Sequence, residues 1–235
     1  MVPIRNNMTK DNIIKIWNTY KDELDYKQEQ SNLKGMFSKI DSEFLYSLVR
    51  HVKPQNIIEF SPYKGFTSMV IMRAATANNI KTLITSYDLI EDSKGLDCEG
   101  LVTRRLVVGD VKEQLKKEDL DDCDFLLVDS EHTKLFGAWY SSQLLPRLKP
   151  GTIICIHDWA GYVNPSHGRN KYYPTTEVPN AGECCAVKAS FIVPGLGSPI
   201  INLTDYCFEL GLQRTGVEAI SSLQVLIRTP STTIT

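Results

Sequence analysis

The sequence predicts an α/β fold: a doubly wound, mostly parallel β-sheet with helices on both faces and an antiparallel strand near the C-terminus. Two observations carry this expectation. Between Pro54 and Asp158, five short apolar runs alternate with helical segments. The runs are largely continuous in their apolar character, as in strands covered on both faces. In addition, Glu59, Asp88, Asp129 and Asp158 each stand at or beside the end of a run. Right-handed crossovers bring such ends to one edge of the sheet, where ligands of doubly wound folds bind.

Ile13, Ile14, Trp17, Tyr20 and Leu24 recur at roughly helical spacing. They predict an amphipathic N-terminal helix packed over the sheet or against another subunit. Gln28–Gly35 reads as a linker, and Asp41–His51 as a second helix ended by Pro54. Asn56–Phe60 is the first strand, Ser61–Gly65 a turn and Phe66–Ala77 a helix. Strands follow at Thr82–Asp88 and Arg104–Val108, the latter leading through Gly109-Asp110 to a short charged helix. Asp124–Asp129 is the fourth strand, Phe136–Leu148 a helix stopped by Lys149-Pro150-Gly151, and Thr152–Asp158 the fifth strand. Tyr162–Pro179 reads as a loop or lid, and Glu183–Val193 fits either a helix or a strand. Tyr206–Leu212 and Leu223–Arg228 are expected to form an antiparallel pair. Residues 1–53 thus form a helical cap and 54–235 the α/β domain.

The composition is that of an ordinary globular chain: 235 residues, 42% hydrophobic, 23% charged, with a formal net charge of -2. That charge provides no global positive field for nucleic acid. No apolar run is long enough to span a bilayer, and the first residues lack a signal-peptide core. None of the six cysteines forms a CxxC pair, and Cys123 and Cys155 fall in or beside apolar runs. A cytoplasmic, reducing compartment is expected.

The turn IIEFSPYKGFTS joins a strand to a helix and can present backbone N–H groups to a ligand, with Gly65 allowing close approach. It lacks G-x-G-x-x-G, because Ser61 and Tyr63 stand where glycines might be expected. Asp88 can accept from both hydroxyls of a ribose, or serve as a cap or surface acid. Asp110 can face an adenine amino group, or cap the helix that begins at Val111. The densest cluster is Asp129-Ser130-Glu131-His132 with His157-Asp158-Trp159. Asp129 and Asp158, helped by Glu131, offer hard oxygen ligands to a divalent ion such as Mg2+, although the spacing does not select among magnesium, manganese and calcium. His132 or His157 can act as a base near neutral pH, and His157 can equally be a buried, hydrogen-bonded strand residue. Trp159, Tyr162, Tyr172 and Tyr173 can cover an acceptor ring or sugar face, or simply pack their loop.

With these motifs, the chain resembles class I S-adenosylmethionine-dependent methyltransferases. It is most similar to the group called methyltransferase domain 24, which is similar to small-molecule and sugar O-methyltransferases. The resemblance runs from about Pro54 to Arg228 and is strongest in VDSEHT and LLPRLKPGTIICIHDW. It implies a Rossmann-like methyltransferase sheet. It places Glu59, Ser61, Tyr63 and Gly65 around the methionine part of S-adenosyl-L-methionine, Asp88 at the ribose and Asp110 near the adenine. Asp129 belongs to the same cofactor edge. Metal-dependent relatives bind a cation through acids matching Asp129 and Asp158; in metal-free relatives a histidine is the base, and the adjacent acid positions substrate. The expected catalytic set is therefore His132, His157 and Asp158. Ser61 and Tyr63 depart from the glycine pattern, and Trp159 occupies a place where some relatives carry another metal ligand.

The resulting expectation is O-methylation of a small-molecule or carbohydrate hydroxyl, with a homodimer open to the N-terminal helices. A catalytically inactive scaffold on the same fold is the alternative, supported by the altered turn. The missing G-x-G-x-x-G weighs against a nucleotide-dependent oxidoreductase, and the absence of an Asn/Asp-Pro-Pro-Tyr segment against a nucleic-acid methyltransferase.

Overall fold

The computed structural model describes residues 10–33, 37–131, 133–157, 200–202 and 224–228. Three N-terminal helices, α1 (Lys10–Tyr20), α2 (Tyr26–Asn32) and α3 (Lys39–Val52), precede the sheet. Then come β1 (Asn56–Phe60), α4 (Phe66–Asn78), β2 (Thr82–Asp88), β3 (Val102–Val108), α5 (Val111–Gln114), α6 (Lys117–Asp121) and β4 (Phe125–Val128). The remaining elements are α7 (Lys134–Trp139), β5 (Ile153–Ile156), β6 (Ile200–Asn202) and β7 (Gln224–Arg228).

The sheet order is β3-β2-β1-β4-β5-β7-β6. β1 to β5 run parallel, and β7 is antiparallel to both β5 and β6. The strand order turns around between β1 and β4, so the switch-point crevice lies beyond the ends of these two strands.

Successive strand residues face opposite sides, and both sides are covered. Ile57, Ile84, Phe125, Leu127, Ile153 and Cys155 share one core with Ile13 and Trp17 of α1, Leu45 and Val49 of α3, and Val70 and Ile71 of α4. Ile58, Phe60, Tyr87, Leu126, Val128 and Ile154 face Val111, Leu120, Phe136 and Tyr140. This two-sided burial explains why the central strands read as continuous apolar runs. Cys123 and Cys155 are buried, and burial pushes the Cys123 thiol up to about 12, well removed from reactive behaviour at neutral pH.

Two local expectations change. The span assigned to a linker begins inside α2, whose N-cap Asp25 accepts from the Gln28 amide. The polar sequence YKQEQSN conceals this helix, which is held by tertiary contacts, including the edge-to-face pair Tyr26–Phe66. The continuous helix expected to Leu148 instead passes at Trp139 into a π-helical turn, Tyr140–Leu144, and then a 3-10 turn through Pro146. Proline lacks the N–H that would continue the α-helical ladder. β7 pairs antiparallel with β5 and also with β6, the latter in the register Ile201↔Ile227. The expected Tyr206–Leu212 strand, the Tyr162–Pro179 lid and the Glu183–Val193 element lie outside the described residues.

At the opposite edge of the sheet, Asp124 ties the first and fourth strands together. Its Oδ2 accepts from the Gln55 and Asn56 amides at 2.9 and 3.0 Å, and its Oδ1 lies 3.0 Å from Lys149 Nζ. Asp124→Ala deprives two amides of their partner and is expected to cost about 3 kcal/mol. Urea unfolding monitored by circular dichroism should show a lower midpoint with an unchanged slope; a midpoint shift worth under about 1 kcal/mol would contradict this account.

Candidate active site at the carboxyl edge

The carboxyl edge begins with Glu59, which is fully buried. Its Oε1 accepts from the Thr67 hydroxyl at 2.6 Å, and its Oε2 from the Ser68 and Ser86 hydroxyls at 2.5 and 2.7 Å. Ser86 is its register partner on β2, and Thr67 and Ser68 lie in the first turn of α4. Glu59 therefore supports the turn from inside instead of offering its carboxylate at the surface of the cleft. Sequence reading assigned this acid directly to the cofactor because a strand-end position does not reveal which side chains enclose it.

The turn itself takes three left-handed residues, Ser61 (φ 54), Tyr63 (φ 51) and Gly65 (φ 89). The first two occupy the places where glycine was expected, and each retains a glycine-like backbone despite its side chain. Such a conformation costs a non-glycine residue about 1 kcal/mol. Contacts hold it in place: the Ser61 amide donates to the Tyr87 carbonyl at 2.7 Å, and the Gly65 amide to the Pro62 carbonyl at 2.7 Å. Gly65 then caps α4.

Asp88 is buried at the end of β2. Its Oδ2 accepts from the Tyr63 amide at 2.8 Å and its Oδ1 from the Ile90 amide at 3.3 Å. Its own carbonyl accepts from the Gly109 amide at 2.8 Å. Thus one acid joins the turn after β1, the loop after β2 and the end of β3. Asp110 stands beyond β3, exposed, with its carboxylate accepting from the Lys112 amide at 2.9 Å as the cap of α5.

At the switch point, the Ser61 hydroxyl meets Ser130 Oγ at 2.8 Å, joining the turns after β1 and β4. Asp129 follows β4 and bonds through Oδ1 to His157 Nδ1 at 2.9 Å. His157 is 6% exposed, its ring stacks on Phe37 with 4.1 Å between centroids, and its Nε2 lies 3.8 Å from Asp41 Oδ2. The N-terminal segment thus contributes Phe37 and Asp41 to the neighbourhood of the strand-end histidine. Neither was singled out from sequence, because their role depends on a contact across more than a hundred residues.

Among the expected site residues, the structure gathers Ser61, Tyr63, Gly65 and Asp88 in one region and pairs Asp129 with His157. His132 and Asp158, together with Trp159 and the aromatic loop, lie outside the described residues. Among the described residues, no group of three His, Cys, Asp or Glu side chains is arranged to hold a metal ion, and no helix is long and apolar enough to cross a membrane.

Gly65 offers a direct check of the turn. A Cβ added there would overlap Leu96 Cδ1 and lie 3.2 Å from Ser93 Cβ, in a backbone conformation that disfavours an L side chain. Gly65→Ala is expected to lower stability by about 2 kcal/mol, combining conformational strain with the displacement of Leu96. Thermal unfolding would check the size of the loss, and wild-type stability in this variant would refute the proposed constraint.

Residues 58–159 match the model of a family described as a methyltransferase domain, methyltransferase domain 24. No curated protein matches in sequence. The O-methyltransferase of Bacillus cereus in complex with SAH is 16% identical, with 89% of this chain and 90% of that chain covered and a TM-score of 0.55. TomG of Streptomyces achromogenes, an O-methyltransferase solved with SAM, is 13% identical, with 86% of each chain covered and a TM-score of 0.55. The SAH-bound methyltransferase PaMTH1 of Podospora anserina is 14% identical, with 93% of this chain and 88% of that chain covered and a TM-score of 0.52. At these identities the structural likenesses establish architecture. Together with the family match across the first five strands, they show that the chain has the class I methyltransferase fold and that residues 58–159 resemble methyltransferase domain 24.

Proposed function

We propose that this protein transfers the methyl group of S-adenosylmethionine to a hydroxyl oxygen of a small molecule or sugar. The observation that carries the proposal is Asp88. Two backbone amides from different segments fix its carboxylate at the end of β2, beside the turn that enters α4. Each oxygen accepts one of these amides and retains lone-pair capacity for another donor, which suits a pair of ribose hydroxyls. The retained left-handed turn at Ser61, Tyr63 and Gly65 supports cofactor binding over a scaffold role, because the altered side chains have not straightened the backbone.

Bound S-adenosylmethionine supplies an electrophilic methyl group on a positively charged sulfur. Asp88 would orient the ribose, and the exposed Asp110, just beyond the end of β3, would lie on the nucleoside side. In the transfer, the acceptor oxygen would form the new O–CH3 bond as the S–CH3 electron pair stayed on sulfur. Catalysis comes mainly from holding oxygen and methyl in line, with a base removing the hydroxyl proton. The contacts of His157 with Asp129 and Phe37 suit it to orient Asp129, leaving His132 as the base. A divalent cation shared by Asp129 and Asp158 would further acidify the acceptor; of this pair, Asp129 lies among the described residues.

Calorimetric titration with S-adenosylmethionine should show binding by the wild-type protein, weakened about tenfold or more in Asp88→Ala through loss of charge-assisted hydrogen bonds. No binding by the folded wild type, with or without magnesium, would make the scaffold alternative the better account. With an acceptor identified by screening, His132→Ala should lower kcat by about 10²- to 10⁴-fold while leaving cofactor affinity within about twofold. Equal kcat values would remove His132 from the base role.

A further inference from the structure

Arg104 is a charged residue on a strand whose side chain reaches into the protein. Its Nε donates to Ser86 Oγ at 3.0 Å, its Nη1 to the Ser93 carbonyl at 2.8 Å and its Nη2 to Ser93 Oγ at 2.7 Å. Ser86 passes the connection inward by donating to Glu59, which also receives the Thr67 and Ser68 hydroxyls. Ser93 passes it outward: it is 1% exposed and lies against Gly65, with Leu96 beside it. One guanidinium therefore bridges β2, at Ser86, and the loop between β2 and β3, at Ser93, and it is linked to the strand-turn-helix unit after β1 through the Ser86 bond to Glu59. The loop supplies the Ile90 amide and the turn after β1 supplies the Tyr63 amide that hold Asp88.

We propose that Arg104 is a positioning residue for the cofactor site, latching the 89–101 loop to β2 and, through Ser86 and Glu59, to the strand and helix that flank the 61–65 turn, so that both amides stay directed at Asp88. The ligand in this proposal rests on the S-adenosylmethionine reading, but the latch does not. Burial opposes the charge on Arg104 and lowers its pKa, while the neighbouring Glu59 and Asp88 favour the charged form. Guanidinium also has the geometry the latch needs. Three of its N–H groups, fixed in one plane, reach three acceptors on two segments; a lysine ammonium, a single charged point on a flexible stem, cannot reproduce that fork. The loop gains an anchor without forming a helix or a strand of its own, and Asp88 gains two donors whose directions depend on it.

The test combines amide hydrogen exchange by NMR in the ligand-free protein with calorimetric titration of S-adenosylhomocysteine. Wild type, Arg104→Lys, Ser93→Ala and the control Arg105→Lys are compared. In Arg104→Lys, the Tyr63 and Ile90 amides should exchange about tenfold faster and the Kd should rise about tenfold, each corresponding to the loss of one charge-assisted contact. Ser93→Ala removes one end of the latch and should move both readouts in the same direction by a smaller factor, which preserves the test if Arg104→Lys does not fold. Arg105→Lys, whose arginine instead pairs with Asp119 on the other side of β3, should change neither. Wild-type exchange at both amides in Arg104→Lys, or in Ser93→Ala if the former does not fold, overturns the latch whether or not the ligand binds. Failure of the wild type to bind S-adenosylhomocysteine counts against the cofactor reading alone, since the exchange rates still decide the role of Arg104.

Discussion

A carboxylate sealed inside a parallel sheet has few stable surroundings, and Glu59 lives within that constraint. With no access to solvent, it must find its donors in the protein. Three hydroxyls converge on it, two from the first turn of α4 and one from β2. This requirement sets the start of α4 relative to β1 and β2, and hence the path of the five residues between strand and helix. The left-handed conformations at Ser61 and Tyr63 follow from that short path. So does the direction of the Tyr63 amide, which is what reaches Asp88. A buried acid that need not meet the ligand thus governs the geometry of an acid well placed to do so.

The same edge is closed from the other side of the strand-order reversal. Ser61 and Ser130 bring the turns after β1 and β4 within hydrogen-bonding distance, across the place where doubly wound sheets open a crevice. Beyond them, Asp129 and His157 connect neighbouring strand ends, while Phe37 and Asp41 approach from the N-terminal helices. Those helices share a core with the sheet and also approach its carboxyl edge at this corner. Stacking on Phe37 and the hydrogen bond to Asp129 both orient the His157 ring, so its contribution to Asp129 comes from position.

Legibility differed between elements for identifiable reasons. β1 and β2 were read to their observed ends, because burial on both faces selects uninterrupted apolar runs bounded by turns. β3 was read two residues short: an edge strand tolerates exposed and charged positions, and Thr103 and Arg104 blur its start. α2 was hidden by its polar composition, and the π-helical turn after α7 leaves no clear mark in hydrophobic periodicity. At the site, Asp88 was recognisable from its place at a strand end. Arg104 was overlooked, although a charge at the start of an apolar strand was the available signal; its partners are brought to it by the loop between strands.

Sequence alone determined the class of fold and the set of acids at the carboxyl edge, since both follow from local patterns: apolar runs of strand length, turns between them and charged residues at their ends. Tertiary structure decided what each acid does. Glu59 turned inward, Asp88 received amides from two segments, Asp110 capped a helix and Asp129 met His157. The physical reason is that burial and hydrogen-bond partners belong to the assembled layers. Residues far apart in the chain supply them, and no local pattern records which ones will meet.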